Sequence, residues 1–76
     1  MVIGVTMVSV SPGKEKPVYS ELKAMKNVRD VYHVFGEFDF VVIIEASSLS
    51  ELNKTVDTIR EIEGVIKTST VIGAEI

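Results

Sequence analysis

The chain has 76 residues and a formal net charge of -3, which leaves room for one domain and not for two. Hydrophobic residues make up 46% of it, so a folded domain is expected and not a disordered segment. The chain has no cysteine, which excludes disulfides and thiolate metal sites. The apolar runs are too short to span a bilayer and no signal peptide is recognisable, so a cytoplasmic location is expected.

The first half of the chain predicts a strand, a helix and a second strand. Residues 2–10 are rich in Val, Ile and Thr in loose alternation, which is typical of a strand. A Ser-Pro-Gly break follows, and apolar residues at helical spacing then predict a helix over about residues 14–26. Asn27 is suited to a left-handed position after that helix. Residues 28–35 form the second predicted strand.

The second half repeats this order. Residues 40–46 predict a third strand, and Ser48 with Glu51 has the spacing of a reciprocal helix cap. An apolar stripe at steps of three and four predicts the second helix: Leu49, Leu52, Val56, Ile59 and Ile62. Gly64 ends this helix with a left-handed residue, and residues 65–74 form the fourth strand.

The two halves also align with each other at an offset of about 37 residues, as the two copies of an internal repeat would. Leu22 then matches Ile59, and Ile3 matches Phe40. Two β-α-β units joined through a central hairpin predict an α+β protein with the ferredoxin-like βαββαβ fold. Its four-stranded antiparallel sheet would carry both helices on one face.

The predicted strands are apolar on both faces of the sheet. Two helices cover only one face, so the other face of a monomer should be polar. In the third strand, Val41 and Ile43 instead alternate with three apolar residues that face the other way. A second copy packed sheet to sheet about a two-fold axis would cover the spare face. The sequence therefore predicts a homodimer with a dimeric α/β barrel-type association.

The charged residues and the histidine argue against several functions. Lysines near the first helix are interleaved with Glu15 and Glu21, which is typical of a solvated helix face and not of a nucleic-acid interface. His33 is the one histidine, and no residue near it has metal-ligand spacing. Its ordinary role would be a partly buried side chain, hydrogen-bonded in or near the sheet. No catalytic residue, metal or cofactor is predicted.

The predicted tight hairpin between the second and third strands has two interpretations. Gly36 permits close approach of the backbone, and Asp39 can accept from an ammonium group, so the turn suits both ends of a free amino acid. Alternatively, Asp39 only closes the turn and Phe38 packs against a neighbour. Thr68 and Thr70 in the fourth strand either pack in the sheet or line a ligand pocket. The residue types alone do not choose between these interpretations.

Four features in register carry a family resemblance over the whole chain. They are the Pro12-Gly13 break, the Gly-Glu-Phe-Asp hairpin at 36–39, the Gly64-Val65 exit from the second helix, and Thr-Ser-Thr at 68–70. Together they resemble the ligand-sensing (RAM) domain of the Lrp/AsnC transcription regulators. No helix-turn-helix precedes the first strand, so residues 1–76 look like a stand-alone form of that domain.

The resemblance implies an amino-acid-binding regulator and not an enzyme. In the family, dimers assemble into octamers or decamers and effector amino acids bind between dimers. Carried over, the residues implied to contact the ligand are Gly36, Glu37, Phe38, Asp39, Thr68 and Thr70. Phe38 stands where the family often has tyrosine. Full-length Lrp/AsnC regulators are the further partners that the resemblance implies.

Two other classes of protein share the predicted element order. The first is the ACT-type regulatory domain, which also senses amino acids but usually pairs side by side into one continuous sheet. The second is a small dimeric α+β barrel enzyme of the monooxygenase or isomerase type, in which His33 or Tyr32 would line a cavity. A deep pocket inside each subunit that contains His33 would favour the enzyme, and a cleft between dimers at Asp39 would favour the sensor.

Overall fold

The computed structural model describes residues 1–73 and has the predicted order of elements. The elements are β1 (Val2–Val10), α1 (Glu15–Ala24), β2 (Val28–His33), β3 (Phe40–Ala46), α2 (Leu49–Arg60) and β4 (Val65–Gly73). The strands lie in the order β2-β3-β1-β4, and neighbouring strands are antiparallel throughout. The prediction of a ferredoxin-like βαββαβ fold is therefore confirmed.

The residues predicted to begin and end the helices have the expected conformations and hydrogen bonds, with one exception. The Ser48 hydroxyl oxygen accepts from the Glu51 N–H at 3.2 Å and so satisfies one of the free amides that begin α2. The Glu51 carboxylate accepts from the Ser47 hydroxyl at 3.2 Å, in place of the reciprocal bond to the Ser48 amide. Asn27 has a φ of 73° and Gly64 a φ of 102°, so both predicted left-handed residues turn the chain into the next strand.

The core lies between one face of the sheet and the two helices. The strands contribute alternate residues to it: Val8, Val10, Val31, Phe40, Val42, Ile44 and Ala46. The helices contribute the residues of their inner faces: Val18, Leu22, Leu52, Val56 and Ile59. Leu49, which the predicted stripe includes, is 50% exposed at the first position of α2. The buried hydroxyl of Thr6 is paired with that of Thr70 at 2.9 Å, so this polar group carries no unmet hydrogen bond.

The opposite face of the sheet is uncovered in a single chain. Residues of β1 and β3 that alternate with the core residues are only partly buried, and Tyr32 and Val71 are 55% and 62% exposed on the two edge strands. We call this surface the open face, and its members are Ile3, Val5, Met7, Tyr32, Val41, Ile43 and Val71. The strand registers bring them together, because Val5 lies opposite both Ile43 and Val71. The sequence prediction of a second apolar face is thus met by the strand geometry.

The predicted tight hairpin is wrong in detail. The prediction extended β2 to Phe35, whereas β2 ends at His33 and residues 34–39 form a loop, which we call the β2–β3 loop. The amide of Val34 still donates to the carbonyl of Asp39 at 2.8 Å. The amide of Asp39, however, donates to Val8 of β1 at 2.8 Å. Because this bond ties the loop to a third strand, the chain needs more residues than a tight turn supplies.

Three smaller predictions also differ from the structure. Helix α1 covers Glu15–Ala24 and not residues 14–26. Ile3 and Phe40 do not correspond in the two halves, because Phe40 faces the core and Ile3 the open face. Ala74, the predicted end of β4, lies outside the described residues.

Candidate functional site

Asp39 fixes the β2–β3 loop to the end of β1. Its Oδ2 accepts from the Val10 amide at 2.7 Å, and its own amide donates to the Val8 carbonyl at 2.8 Å. The strand register of β1 with β4 shifts between Ser9 and Val10, so the Val10 amide sits at an irregularity of the sheet. The carboxylate supplies this amide with a charge-assisted acceptor. Asp39 therefore has a defined structural role in addition to its predicted ligand contact.

The predicted site residues of the loop divide between two sides of the sheet. Gly36, with a φ of 124°, and Asp39 line a groove on the helix side. Glu37 lies instead beside the open face, where its carbonyl accepts from the Ser9 hydroxyl at 3.2 Å and its carboxylate lies 3.6 Å from the Lys67 ammonium. That ammonium is also 5.1 Å from the centre of the Phe38 ring, a cation–π distance. Gly36 and Asp39 thus form one pair, and Glu37 and Phe38 another.

The two threonines of β4 are not brought to the loop pair formed by Gly36 and Asp39. Thr68 lies opposite Val8 and accepts from Nε of Arg60 on α2 at 3.0 Å. Thr70 lies opposite Thr6 and shares the buried hydroxyl bond described above. Both side chains are therefore on the helix-covered face and are engaged within the chain. Ordinary packing in the sheet, the first of the two interpretations, describes their surroundings.

The groove that contains Gly36 and Asp39 runs between α1 and the β2–β3 loop. It is open to solvent and has a volume of about 1130 Å³. Its lining includes residues of the helix, of β2 and of the loop: Lys16, Tyr19, His33, Phe35, Gly36 and Asp39. Phe40, which is 2% exposed, lies beneath them. The groove brings His33 and Tyr32, the residues of the enzyme alternative, together with two of the predicted ligand contacts.

His33 differs from its predicted environment. The side chain is exposed, and its ring stacks between those of Phe40 and Phe35, with centroid distances of 5.1 and 5.7 Å. The prediction of a partly buried, hydrogen-bonded histidine is therefore wrong. The cause is the early end of β2, which places His33 at the mouth of the groove. Tyr19 and Lys16, which the sequence interpretation did not include, join it because the first turns of α1 pass over this end of β2.

Charges at the far end of the sheet belong to a separate cluster. Arg29 forms ion pairs with Glu45 and Asp30. The hydrogen bond and charge of Glu45, followed by the charge of Asp30, raise the pKa of the Arg29 guanidinium above its ordinary value.

In residues 1–73, no three His, Asp or Glu side chains are grouped to hold a metal ion. No helix of that part of the chain has the length and apolar character needed to cross a membrane.

Asp39→Ala is expected to lower the free energy of unfolding by about 1–3 kcal/mol, since it leaves the Val10 amide without its acceptor. Asp39→Asn keeps a side-chain oxygen for this amide and should cost roughly half as much. Urea denaturation of both variants and of wild type, at one protein concentration, measures the two differences. Equal losses for Ala and Asn would show that the carboxylate oxygen does not hold the loop.

Comparison with known proteins places this geometry in a family. The family model of the Lrp/AsnC ligand binding domain matches residues 1–75. The HTH-type transcriptional regulator LysM of Sulfurisphaera tokodaii is 30% identical over 69 residues, which are 90% of this chain and 49% of that protein. The chain therefore spans about half the length of the curated relatives it matches. These curated relatives are named as transcriptional regulators.

Solved structures give the same result. The crystal structure of FFRP-DM1 is 33% identical with a TM-score of 0.93, and the match covers 97% of this chain and 100% of that chain. A feast or famine regulatory protein from M. tuberculosis, solved as a complex with L-methionine, shares the fold with a TM-score of 0.80 at 19% identity. The match covers 100% of this chain and 52% of that chain. On the family match over residues 1–75, the chain belongs to the Lrp/AsnC ligand-binding-domain family.

Proposed function

We propose that residues 1–76 form a single amino-acid-sensing domain that binds a free amino acid beside the β2–β3 loop. The observation that carries the proposal is the way in which Asp39 holds this loop. Its bonds to Val8 and Val10 fix the loop on β1, so that Gly36 stands at the groove. A loop fixed in advance loses little conformational freedom when a ligand binds, which favours affinity.

The two groove residues of the loop suit the two ends of an amino acid. Gly36 has no side chain, so a ligand carboxylate can approach its backbone closely. Asp39 uses Oδ2 for the Val10 amide, and among residues 1–73 no donor reaches its other carboxylate oxygen. We assign that oxygen to the ligand ammonium group. Glu37 and Phe38 lie beside the open face, so we assign them to the contact with a neighbouring chain.

The open face supports a homodimer as the assembling unit. Seven apolar residues on one sheet face would be exposed in a monomer, and sheet-to-sheet packing of a second copy would bury them. Of the residues that line the groove, Tyr32 belongs to the open face, and this packing leaves Gly36 and Asp39 free. Dimers would then meet at their grooves and form an octamer or decamer. An amino acid bound between dimers stabilises the larger assembly by its differential affinity for it.

The proposal also has a partner at the level of transcription. LysM is a regulator about twice the length of this chain, and it is named for a helix-turn-helix. We propose that this chain pairs through its open face with full-length Lrp/AsnC regulators as well as with itself. Amino-acid binding here would then change the assembly of a DNA-binding protein. The chain itself would make no direct contact with DNA and would act in the cytoplasm.

A thermal-shift screen of the twenty amino acids tests the proposed function. At least one of them is expected to raise the melting temperature, because a ligand at about 100 times its Kd adds about 2.7 kcal/mol to the folded state. Sedimentation velocity with the same amino acid should show a change in the size of the assembly. If no amino acid shifts the melting temperature, the proposed function is wrong.

A matched pair of variants locates the site. Asp39→Asn keeps an acceptor for the Val10 amide but removes the charge offered to the ligand, so the thermal shift should fall by more than half, an estimate for the loss of a charge-assisted bond. Asp57→Asn removes an exposed carboxylate on α2, far along the chain from the loop, and should leave the shift unchanged. Each shift is measured against the variant's own melting temperature. An undiminished shift in Asp39→Asn would place the ligand elsewhere.

A further inference from the structure

Four aromatic side chains form a continuous row in the groove. The ring centroids are 5.9 Å apart for Tyr19 and Phe40, 5.1 Å for Phe40 and His33, and 5.7 Å for His33 and Phe35. At such spacings tilted aromatic rings attract one another. The chain has three Phe, two Tyr, one His and no Trp, so four of its six aromatic rings gather here. We call Tyr19, Phe40, His33 and Phe35 the aromatic row.

Three members of the aromatic row are exposed, whereas Phe40 is buried. Phe40 is 2% exposed and belongs to the core, whereas Tyr19 is 38% and Phe35 97% exposed. A phenylalanine this exposed contributes almost nothing to the stability of the chain that carries it. The proposed dimer does not cover it, because the Phe35 ring lies next to His33, which contacts the core residue Phe40 on the helix side of the sheet. The exposed ring faces are therefore available to a ligand that is itself aromatic.

The charged groups beside the row add a second requirement. Among residues 1–73, Lys16 pairs with no carboxylate, whereas Lys14 pairs with Glu63. Glu15 is engaged by the Gly13 amide at 2.9 Å. The Lys16 ammonium lies in the first turn of α1, where the helix dipole also favours a negative group. A carboxylate suits Lys16, and an ammonium group suits the remaining oxygen of Asp39.

We infer that the groove selects aromatic amino acids, with the ligand ring stacked on the aromatic row and its carboxylate, placed at the Gly36 backbone, paired with Lys16. This inference rests on the proposed function and narrows its ligand to one chemical class, a zwitterion with an aromatic side chain. An aliphatic amino acid would satisfy the charges but would leave the ring faces of Tyr19 and Phe35 without a stacking partner. An aromatic acid or amine would stack but would leave one charged group without its counterpart.

Binding of L-tryptophan gives a direct test, since the chain has no tryptophan and the ligand's own fluorescence reports its capture. L-Phenylalanine and L-tyrosine should compete with it, and L-leucine and L-methionine should bind roughly tenfold more weakly. Phenylpyruvate lacks the ammonium group and phenethylamine lacks the carboxylate, so each should also lose roughly tenfold in affinity.

Two pairs of variants tie the binding to the groove. Tyr19→Ala and Phe35→Ala should weaken L-tryptophan binding roughly fivefold or more. Ile66→Ala removes an apolar side chain of β4 that is 66% exposed, between the values for Tyr19 and Phe35, and should have no effect. Lys16→Gln should weaken binding, and Lys54→Gln on α2 should not. Because these side chains are exposed, circular dichroism and the melting temperature without ligand should stay close to wild type.

The outcomes separate this inference from the proposed function. If an aliphatic or charged amino acid binds more tightly than every aromatic one, the aromatic selection is wrong and the sensing function stands. If no amino acid binds, both are wrong. If L-tryptophan binds but Tyr19→Ala and Phe35→Ala bind it equally well, the ligand lies outside the groove and the inference fails. If Phe35→Ala changes the size of the assembly but leaves L-tryptophan binding unchanged, the exposed end of the row serves only the contact between dimers and the inference fails.

Discussion

Aspartate in place of Val41 is expected to convert the proposed dimer into a monomer at micromolar concentration. Val41 lies on the open face in β3, an interior strand, and the register places it opposite both Met7 and Tyr32. Sheet-to-sheet packing would bury two copies of the new carboxylate among apolar side chains. Burying an unpaired ionised group costs several kcal/mol, which corresponds to a loss of about three powers of ten or more in the dimer dissociation constant.

Analytical ultracentrifugation measures this effect, and two further variants make it specific. Leu49→Asp places the same charge at an exposed position of α2, so its sedimentation should match wild type. Tyr32→Asp changes a side chain of the open face that is 55% exposed in a single chain, so the monomer should fold even if Val41→Asp does not. Tyr32→Asp should also dissociate the dimer. Both open-face variants remaining dimeric would overturn the sheet-to-sheet arrangement.

The same experiment separates two kinds of amino-acid-binding module. An ACT-type pair extends one sheet through an edge strand and leaves the centre of each sheet face uncovered. In that arrangement Val41→Asp would leave the dimer intact, because the new carboxylate would stay in water. The open face has five of its seven residues on the interior strands β1 and β3, which favours face-to-face packing. The mass of the Val41→Asp variant therefore reports the geometry of the pair as well as its existence.

The fold could be predicted because its determinants are local. Alternating β-branched residues define β1 and β3, and Ser48, Asn27 and Gly64 mark turns through their own backbone and side-chain chemistry. Local signals did not place the end of β2. Val34 and Phe35 favour strand geometry, but the bond from the Asp39 amide to Val8 joins residues that are far apart in the chain. A non-local bond overrides a local preference there.

Only part of the candidate site could be predicted, because residues far apart in the chain form the rest of it. Gly36 and Asp39 were named mainly through the family resemblance, and both line the groove; their contact with a ligand stays a prediction. The face of Thr68 and Thr70 could not be read from alternation, because the register of β4 with β1 is shifted near Val10. Lys16 and Tyr19 were missed because they come from another element, and only the packing of α1 over β2 brings them to His33. The one sequence signal for the aromatic row was the clustering of aromatic residues between positions 32 and 40.

Phe40→Ala is expected to have the largest effect on stability of any single change to the groove. Phe40 is 2% exposed, begins β3, and contacts the rings of both Tyr19 and His33. Removing a buried phenylalanine typically costs about 3–5 kcal/mol, and a small domain is stable by only about 5–15 kcal/mol in total. The variant should therefore be partly unfolded at 37 °C, and urea denaturation at a fixed protein concentration measures the loss.

Phe35→Ala is the matched control, because it removes the same side chain from the other end of the aromatic row. Phe35 is 97% exposed, so its loss should change the free energy of unfolding by no more than about 0.5 kcal/mol. The contrast divides the row into a part that folds the protein and a part that is free to bind. A large loss of stability in Phe35→Ala would mean that the exposed end is already engaged, by a neighbouring copy in the assembly. The exposed end would then belong to the contact between dimers that the proposed function places at the grooves, and it would not be free to stack on a ligand.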